Sequence, residues 1–327
     1  MKILFLHRSK SNNRFSFEEL FTTIRKYLLN VDISDFYDKT YSSFYKNINE
    51  VKKIKTDIIH ITGGVGYYAL FLNSNKTVLT IHDLNHYEFD LKGIKKWIFS
   101  LVYYKLPIKN VKFVTVVSDH TKNKLIELFN TPENKIKVIP NCYDEEFIFS
   151  PKPELNNIPK ILHLGTKQNK NLPNLILSLK DIPCELTIIG RLSNEQSNLL
   201  IENQINYINK FNLTRKEIYN EYVNTDIVSF ISLREGFGLP IIEANAVGRA
   251  IITSNISSMP EVAGNSAILV DPTNINQIKD GFLKLIHDDK YRNKLIEEGL
   301  ENISRFSPHR IGKLYSNLYQ TIINANY

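Results

Sequence analysis

Cysteine is almost missing from this sequence: 327 residues contain two, Cys142 and Cys184, one in each half. That scarcity excludes a disulfide framework and any cysteine-based metal motif, and it fits a reducing compartment. Long apolar runs are missing too. None approaches the roughly 18 residues of a membrane-spanning helix, and Met1-Lys2 leads into an apolar strand pattern rather than a signal peptide. No Gly-x-Gly-x-x-Gly follows a strand pattern, which removes the dinucleotide fingerprint of an NAD-dependent oxidoreductase. Excess basic charge falls almost wholly in one half. The net charge is +7, of which +6 falls in residues 1–150. An anionic partner for that half follows: membrane lipid, a phosphorylated acceptor or nucleic acid. No nucleic-acid-binding motif accompanies the charge, so nucleic acid is set aside.

Short apolar runs alternating with helical patterns fill the chain. In the first half the strand patterns are Lys2–Leu6, Val31–Phe36, Asp57–Ile61, Thr77–Ile81, Lys112–Val117 and Ile136–Ile139. Ser16-x-x-Glu19 reads as a capping box with Phe15 and Leu20 as its staple, and Ser118 as the cap of a helix to about Phe129. The pattern restarts after the polar, proline-bearing stretch Ser150–Pro159, read as a linker. Strands follow near Lys160–Leu164, Glu185–Ile189, Ile205–Ile208, Asp226–Ile231, Ala250–Thr253 and Ala267–Val270, with a helix opened by Thr214-x-x-Glu217. Alternation of this kind predicts an α/β fold of two Rossmann-like domains, their parallel sheets facing a central cleft. The expected division is residues 1–150 as an acceptor domain and 151–306 as a donor domain. Residues 307–327 form a closing helix, started by Ser307-Pro308, that packs back toward the first domain.

The segment Asp226–Glu243 carries the most chemistry. A buried strand ends near Ser232, a loop with Gly236 and Gly238 follows, and Pro240 stands where a helix begins. Two glycines let backbone amides and a helix N-terminus approach a ligand closely, an arrangement suited to a diphosphate. Glu235 and Glu243 flank it as acceptors for hydroxyls on either side. A nucleotide sugar has that layout, with ribose on one side and hexose on the other. Taken singly, Glu243 would do no more than offset the helix dipole and Glu235 would be a solvated loop charge. The whole constellation favours the ligand.

Residues 225–272 closely resemble the retaining glycosyltransferases of family 4, which have the GT-B fold and a Glu-x7-Glu signature. The likeness runs on through Pro260-Glu-Val-Ala-Gly264 and Asp271-Pro272 and is colinear over nearly the whole chain. It implies that Glu243 binds the donor's ribose hydroxyls and Glu235 a hydroxyl of the transferred sugar. Amides around Gly236, Phe237, Gly238 and Leu239 would meet the phosphates.

Other segments add to this. In Leu164-Gly-Thr-Lys-Gln-Asn-Lys-Asn171, lysines beside a glycine turn suit a diphosphate. The resemblance makes Lys170 the clamp on the leaving group, with Lys167 as its substitute, beside Gly165 and Thr166, where many members carry arginine. Thr80-Ile-His-Asp-Leu84 ends a strand, and His82 resembles the histidine set near the reacting carbon; Asp83 orients it or caps the next segment. Gly63 and Gly64 belong to the acceptor side or to a plain tight turn. Where relatives carry a glycine-rich loop, this chain has His7–Phe15, whose Arg8 and Arg14 offer contacts to an anionic acceptor. Cys142 is read as packing.

Leu91–Lys112 has six lysines and no acidic residue, with Ile94, Trp97, Ile98, Leu101 and Val102 at helical spacing. It suits an anionic membrane surface, or a helix packed on the first domain with solvated lysines; the sequence favours packing. Taken together, the expected activity is metal-independent, cofactor-free transfer of a hexose from a nucleotide-diphosphate sugar to a glycan or glycolipid. Retention at the anomeric carbon, a setting in surface polysaccharide synthesis, and a cytoplasmic location, peripheral on the inner membrane face, complete the expectation. No Asp-x-Asp is present to seat a metal. The competing reading is a non-catalytic nucleotide-sugar-binding subunit.

Overall fold

The computed structural model describes residues 1–9, 17–39, 43–152 and 154–325. Arg14 and most of the expected capping box, with Phe15 and Ser16, lie outside the described residues, as does Pro153. Two compact units are present: Met1–Cys142 with Pro308–Tyr327, and Tyr143–Ser307. The division falls ahead of the Ser150–Pro159 stretch expected as a linker, which belongs to the second unit. There Ser150 is tied down, its amide donating to the Val247 carbonyl and its carbonyl accepting from Arg249.

Among the described residues the first unit holds six strands: β1 (Lys2–His7), β2 (Asp32–Tyr37), β3 (Ile58–Ile61), β4 (Thr77–Ile81), β5 (Phe113–Val116) and β6 (Ile136–Val138). They form one parallel sheet in the order β2-β1-β3-β4-β5-β6. Helices cover both faces, so the central strands are buried on both sides and read as continuous apolar runs rather than alternating ones. The Pro308–Asn324 helix supplies part of that cover, with Ile311, Tyr315 and Tyr319 packed among Ile3, Phe5, Phe21 and Cys142. A buried chain of hydrogen bonds fixes it: Tyr319 hydroxyl to His60 Nδ1 at 2.6 Å, His60 Nε2 to Thr80 at 2.6 Å, and Thr80 to Thr115 at 2.6 Å.

The second unit has the same architecture. Its strands are β7 (Lys160–Leu164), β8 (Glu185–Ile189), β9 (Tyr207–Lys210), β10 (Ile227–Phe230), β11 (Ala250–Ser254) and β12 (Ala267–Val270). All pair in parallel, in the order β12-β11-β10-β7-β8-β9. The connecting helices are locally specified. Ser118 caps Asp119–Phe129, and both Ser193–Gln196 and Thr214–Glu217 form capping boxes.

Two buried histidines make both units acid-sensitive. Burial, reinforced by the charges of His7 and His82, lowers the His60 pKa to about 3; burial and the Lys170 charge lower that of His163 to about 4. Both rings are neutral when folded, whereas an unfolded chain takes up protons near pH 6.5. Their contribution to stability is therefore full above about pH 6.5 and is lost as the pH falls toward 4 and then 3. Thermal unfolding followed between pH 7.5 and 5 is expected to show a falling midpoint. His163→Leu should flatten that slope, and an unchanged slope would contradict the assignment.

Candidate active site

The expected site residues fall into one group in each unit. In the second unit the strand order reverses between β7 and β10, where an open parallel sheet leaves a crevice beyond its strand ends. The loops leaving these two strands are those that carry Lys170 and Glu235. After β7, Gly165 adopts φ +96°, and a Cβ there would sit 2.9 Å from Lys170 Cγ. Glycine thus allows the Lys170 side chain to lie across the strand end. A tight turn at Gln168–Lys170 and left-handed Asn171 then lead into the Leu172–Leu179 helix. After β10, left-handed Gly238 (φ +117°) precedes the Leu239–Val247 helix, with Pro240 in its first turn. Pro240 has no N–H, and the Ile241 amide donates to the Gly238 carbonyl at 3.0 Å. The Gly238 and Leu239 amides are what this helix end offers an anion.

Lys170 Nζ donates to Glu235 Oε1 at 2.7 Å, and Asn169 Nδ2 donates to the same oxygen at 3.2 Å. The ammonium also lies 4.7 Å from the centre of the Phe230 ring. Ser257 fixes the loop by donating to the Glu235 carbonyl at 2.6 Å, and Ser258 by donating to the Phe237 carbonyl at 2.7 Å. Phe237 turns its ring inward against Phe306, leaving the backbone of Gly236–Leu239 at the helix entrance. Thr166 donates to the Arg191 carbonyl at 2.6 Å, which ties the β7 loop to the loop after β8, and Lys167 is exposed.

Glu243 is 4% exposed, and both its carboxylate oxygens are engaged. Arg215 Nη2 donates to Oε1 at 3.0 Å and the Tyr222 hydroxyl to Oε2 at 2.8 Å. Arg215 in turn reaches Asp144 Oδ2 through Nε at 3.3 Å, with its guanidinium 4.6 Å from the centre of the Phe147 ring. Burial acts to lower the Arg215 pKa, but the charges of Glu243 and Asp144 and the hydrogen bond to Glu243 outweigh it and raise it further. Tyr222 is held protonated, its pKa raised by burial and then by the Glu243 charge. Sequence reasoning missed Arg215, Tyr222 and Asp144. One signal was available: Arg215 opens a helix, where a cation opposes the helix dipole unless a carboxylate elsewhere compensates.

In the first unit the order reverses between β1 and β3, and the residues read as acceptor-side emerge there. Gly63 (φ +133°) and Gly64 (φ +73°) turn the chain after β3, and a Cβ on Gly64 would lie 3.3 Å from Arg8 Cδ. The Arg8 side chain therefore crosses that turn. His82 follows β4 and is buried; its Nε2 lies 2.7 Å from the Thr62 carbonyl, which can only accept, so Nε2 carries the proton. Asp83 accepts from the Asn85 amide at 2.9 Å, capping the next segment. Among the described residues no group of three His, Cys, Asp or Glu side chains could hold a metal.

The segment Leu91–Lys112 corrects an expectation. The helix at Gly93–Ser100 leads through a wider turn at Leu101–Lys105 into Leu106–Asn110. Only its later part packs: Val102, Tyr103 and Tyr104 lie on the first unit's core. Ile94 (67% exposed), Trp97 (57%) and Ile98 (48%) face outward, so the favoured packed helix does not hold for them. Among the described residues no helix is long and apolar enough to cross a membrane.

Comparison with known proteins bears on both units. Residues 144–302 match the family model described as Glycosyl transferases group 1, and residues 10–147 that of Glycosyltransferase Family 4. O-antigen chain mannosyltransferase B of Escherichia coli is 25% identical over 260 residues, covering 71% of this chain and 67% of its own. Among solved structures, sucrose-phosphate synthase from Thermosynechococcus elongatus superposes with a TM-score of 0.79 at 16% identity over 99% of both chains. HepE from Anabaena, in complex with UDP-glucose, gives 0.76 at 16% identity over 98% of this chain and all of its own.

Proposed function

The chain belongs to the GT-B glycosyltransferases of family 4, and from that premise we propose that the second unit holds the donor, a nucleoside-diphosphate hexose, with Lys170 and Glu235 at its reacting end. The observation that carries this is the Lys170–Glu235 pair at 2.7 Å, assembled from the two switch-point loops beside the Gly238–Leu239 amides. Lys170 keeps donors to spare for a phosphate while paired, and Glu235 keeps lone pairs for a sugar hydroxyl. Charge developing on the leaving diphosphate meets the ammonium and the helix-end amides. Transfer without metal, with retention, is the mechanism that follows from family membership. Mannose is the hexose to test first, since the Escherichia coli relative is named for mannosyl transfer. A surface glycan or glycolipid is the acceptor class proposed. Proton NMR of product formed from GDP-mannose, with other nucleotide sugars in parallel, should show the anomeric configuration of the donor. An inverted product would refute retention.

The exposed Ile94–Trp97–Ile98 face is the second part of the proposal: it docks on an anionic bilayer at the cytoplasmic face. Lys92 and Lys95 flank the three side chains and are exposed, and no acidic residue occurs between Leu91 and Lys112. An apolar stripe edged by cations complements acyl chains under anionic headgroups. Trp97 is the chain's one tryptophan, so its fluorescence reports on this face alone. Vesicles containing phosphatidylglycerol should shift that emission to the blue and sediment the protein, both effects falling in high salt and sedimentation falling in Trp97→Glu. Emission unmoved by vesicles, or moved only by self-association, would contradict it.

A further inference from the structure

Each oxygen of the Glu243 carboxylate already accepts one hydrogen bond within the chain, from Arg215 and from Tyr222. A buried carboxylate without a cation is costly and would turn aside or take up a proton. Arg215 supplies the cation, and its direction is imposed from behind by Asp144 and from below by the Phe147 ring. A second lone pair on each carboxylate oxygen stays available for a donor hydroxyl. The bidentate reach of the guanidinium, Nε to Asp144 and Nη2 to Glu243, spans residues 99 positions apart and is beyond a lysine's single ammonium.

We propose that Arg215 is a positioning residue for donor recognition: held by Asp144 and Phe147, it fixes the Glu243 carboxylate for the ribose hydroxyls of the nucleotide. The inference rests on the reading of Glu243 as the ribose-binding group. It makes Arg215 a determinant of nucleotide affinity without contact to the nucleotide. The chemical step, carried by Lys170 and Glu235, is left alone once donor saturates.

The test is titration of UDP and GDP into the full chain by calorimetry, with donor KM and kcat for the sugar that is turned over. Arg215→Ala should weaken nucleotide binding by about 10-fold and raise donor KM similarly, with kcat within about 3-fold. Arg215→Lys should recover part of the affinity, and Asp144→Asn, which keeps the Arg215–Glu243 contact, should lose about 3-fold. In Glu243→Ala the further change Arg215→Ala should add nothing, because the group being positioned is gone. Should Glu243→Ala weaken binding while Arg215→Ala and Asp144→Asn leave it unchanged, the positioning role fails and the Glu243 reading stands. Unchanged affinity in Glu243→Ala would remove the Glu243 reading itself. Additive losses in the double variant would mean that Arg215 touches the nucleotide, which also overturns positioning.

Discussion

Glu235→Gln and Lys170→Ala are each expected to fold normally and to lose transfer by roughly 10²–10³-fold, the scale seen when one preorganised transition-state partner is removed. Different parameters should fall. In the proposed site Lys170 would face the charge that appears as the diphosphate departs, so its loss should lower kcat while donor KM moves little. Glu235 is proposed to bind sugar in the ground state as well as later, so Glu235→Gln should change both. Folding is preserved because neighbours remain: Asn169 still donates to residue 235, and Ser257 and Ser258 still hold the loop backbone. The two residues share one ion pair at 2.7 Å, so the double variant should lose less than the product of the single losses. Steady-state kinetics with a matched acceptor reads all three. A folded Lys170→Ala enzyme with unchanged kcat would show that the leaving group is stabilised elsewhere.

For Glu243→Gln the expected loss is in nucleotide affinity, by about 1.5–3 kcal/mol, or roughly 10- to 150-fold, the worth of a charged hydrogen bond. Stability should fall with it. Gln keeps the volume and can still accept from one partner, but Arg215 then faces a neutral amide while remaining partly buried, with Asp144 at 3.3 Å still beside its charge. Breaking a buried pair from one side is costly, by about 3–5 kcal/mol when nothing compensates; the surviving Asp144 contact should keep the loss below that. Thermal denaturation with and without nucleotide separates the effects, since the free protein should melt earlier and nucleotide should restore less than in the wild type. Equal midpoints and equal nucleotide-induced shifts would contradict both.

Much of the fold was legible because the sheets are parallel and covered on both faces. Such strands appear as apolar runs such as Ile3–Leu6, and the twelve strands of the described residues begin and end within two residues of the expected limits. The largest slip, Ile205–Ile208 for Tyr207–Lys210, occurs at a sheet edge where a polar strand pairs on one side only. Strand order was not legible, since it depends on crossovers that leave no local trace. The site divided in the same way. Gly238-Leu-Pro240 announces a helix entrance in local chemistry, and the structure has one there. The Lys170–Glu235 contact spans 65 positions and the Asp144–Arg215 contact 71, so neither shows in spacing. The amphipathic stripe at Ile94, Trp97 and Ile98 could be read, but whether anything covers it is a tertiary fact.

The most direct measurement is a thermal-shift titration of the wild-type chain with UDP-, GDP- and ADP-sugars, repeated on Glu243→Ala. One nucleotide class should raise the unfolding midpoint in a concentration-dependent way in the wild type, with most of that shift missing in the variant. A wild-type midpoint unmoved by every nucleotide sugar at millimolar concentration, or a shift that Glu243→Ala leaves intact, would contradict a donor site built on Glu235–Glu243.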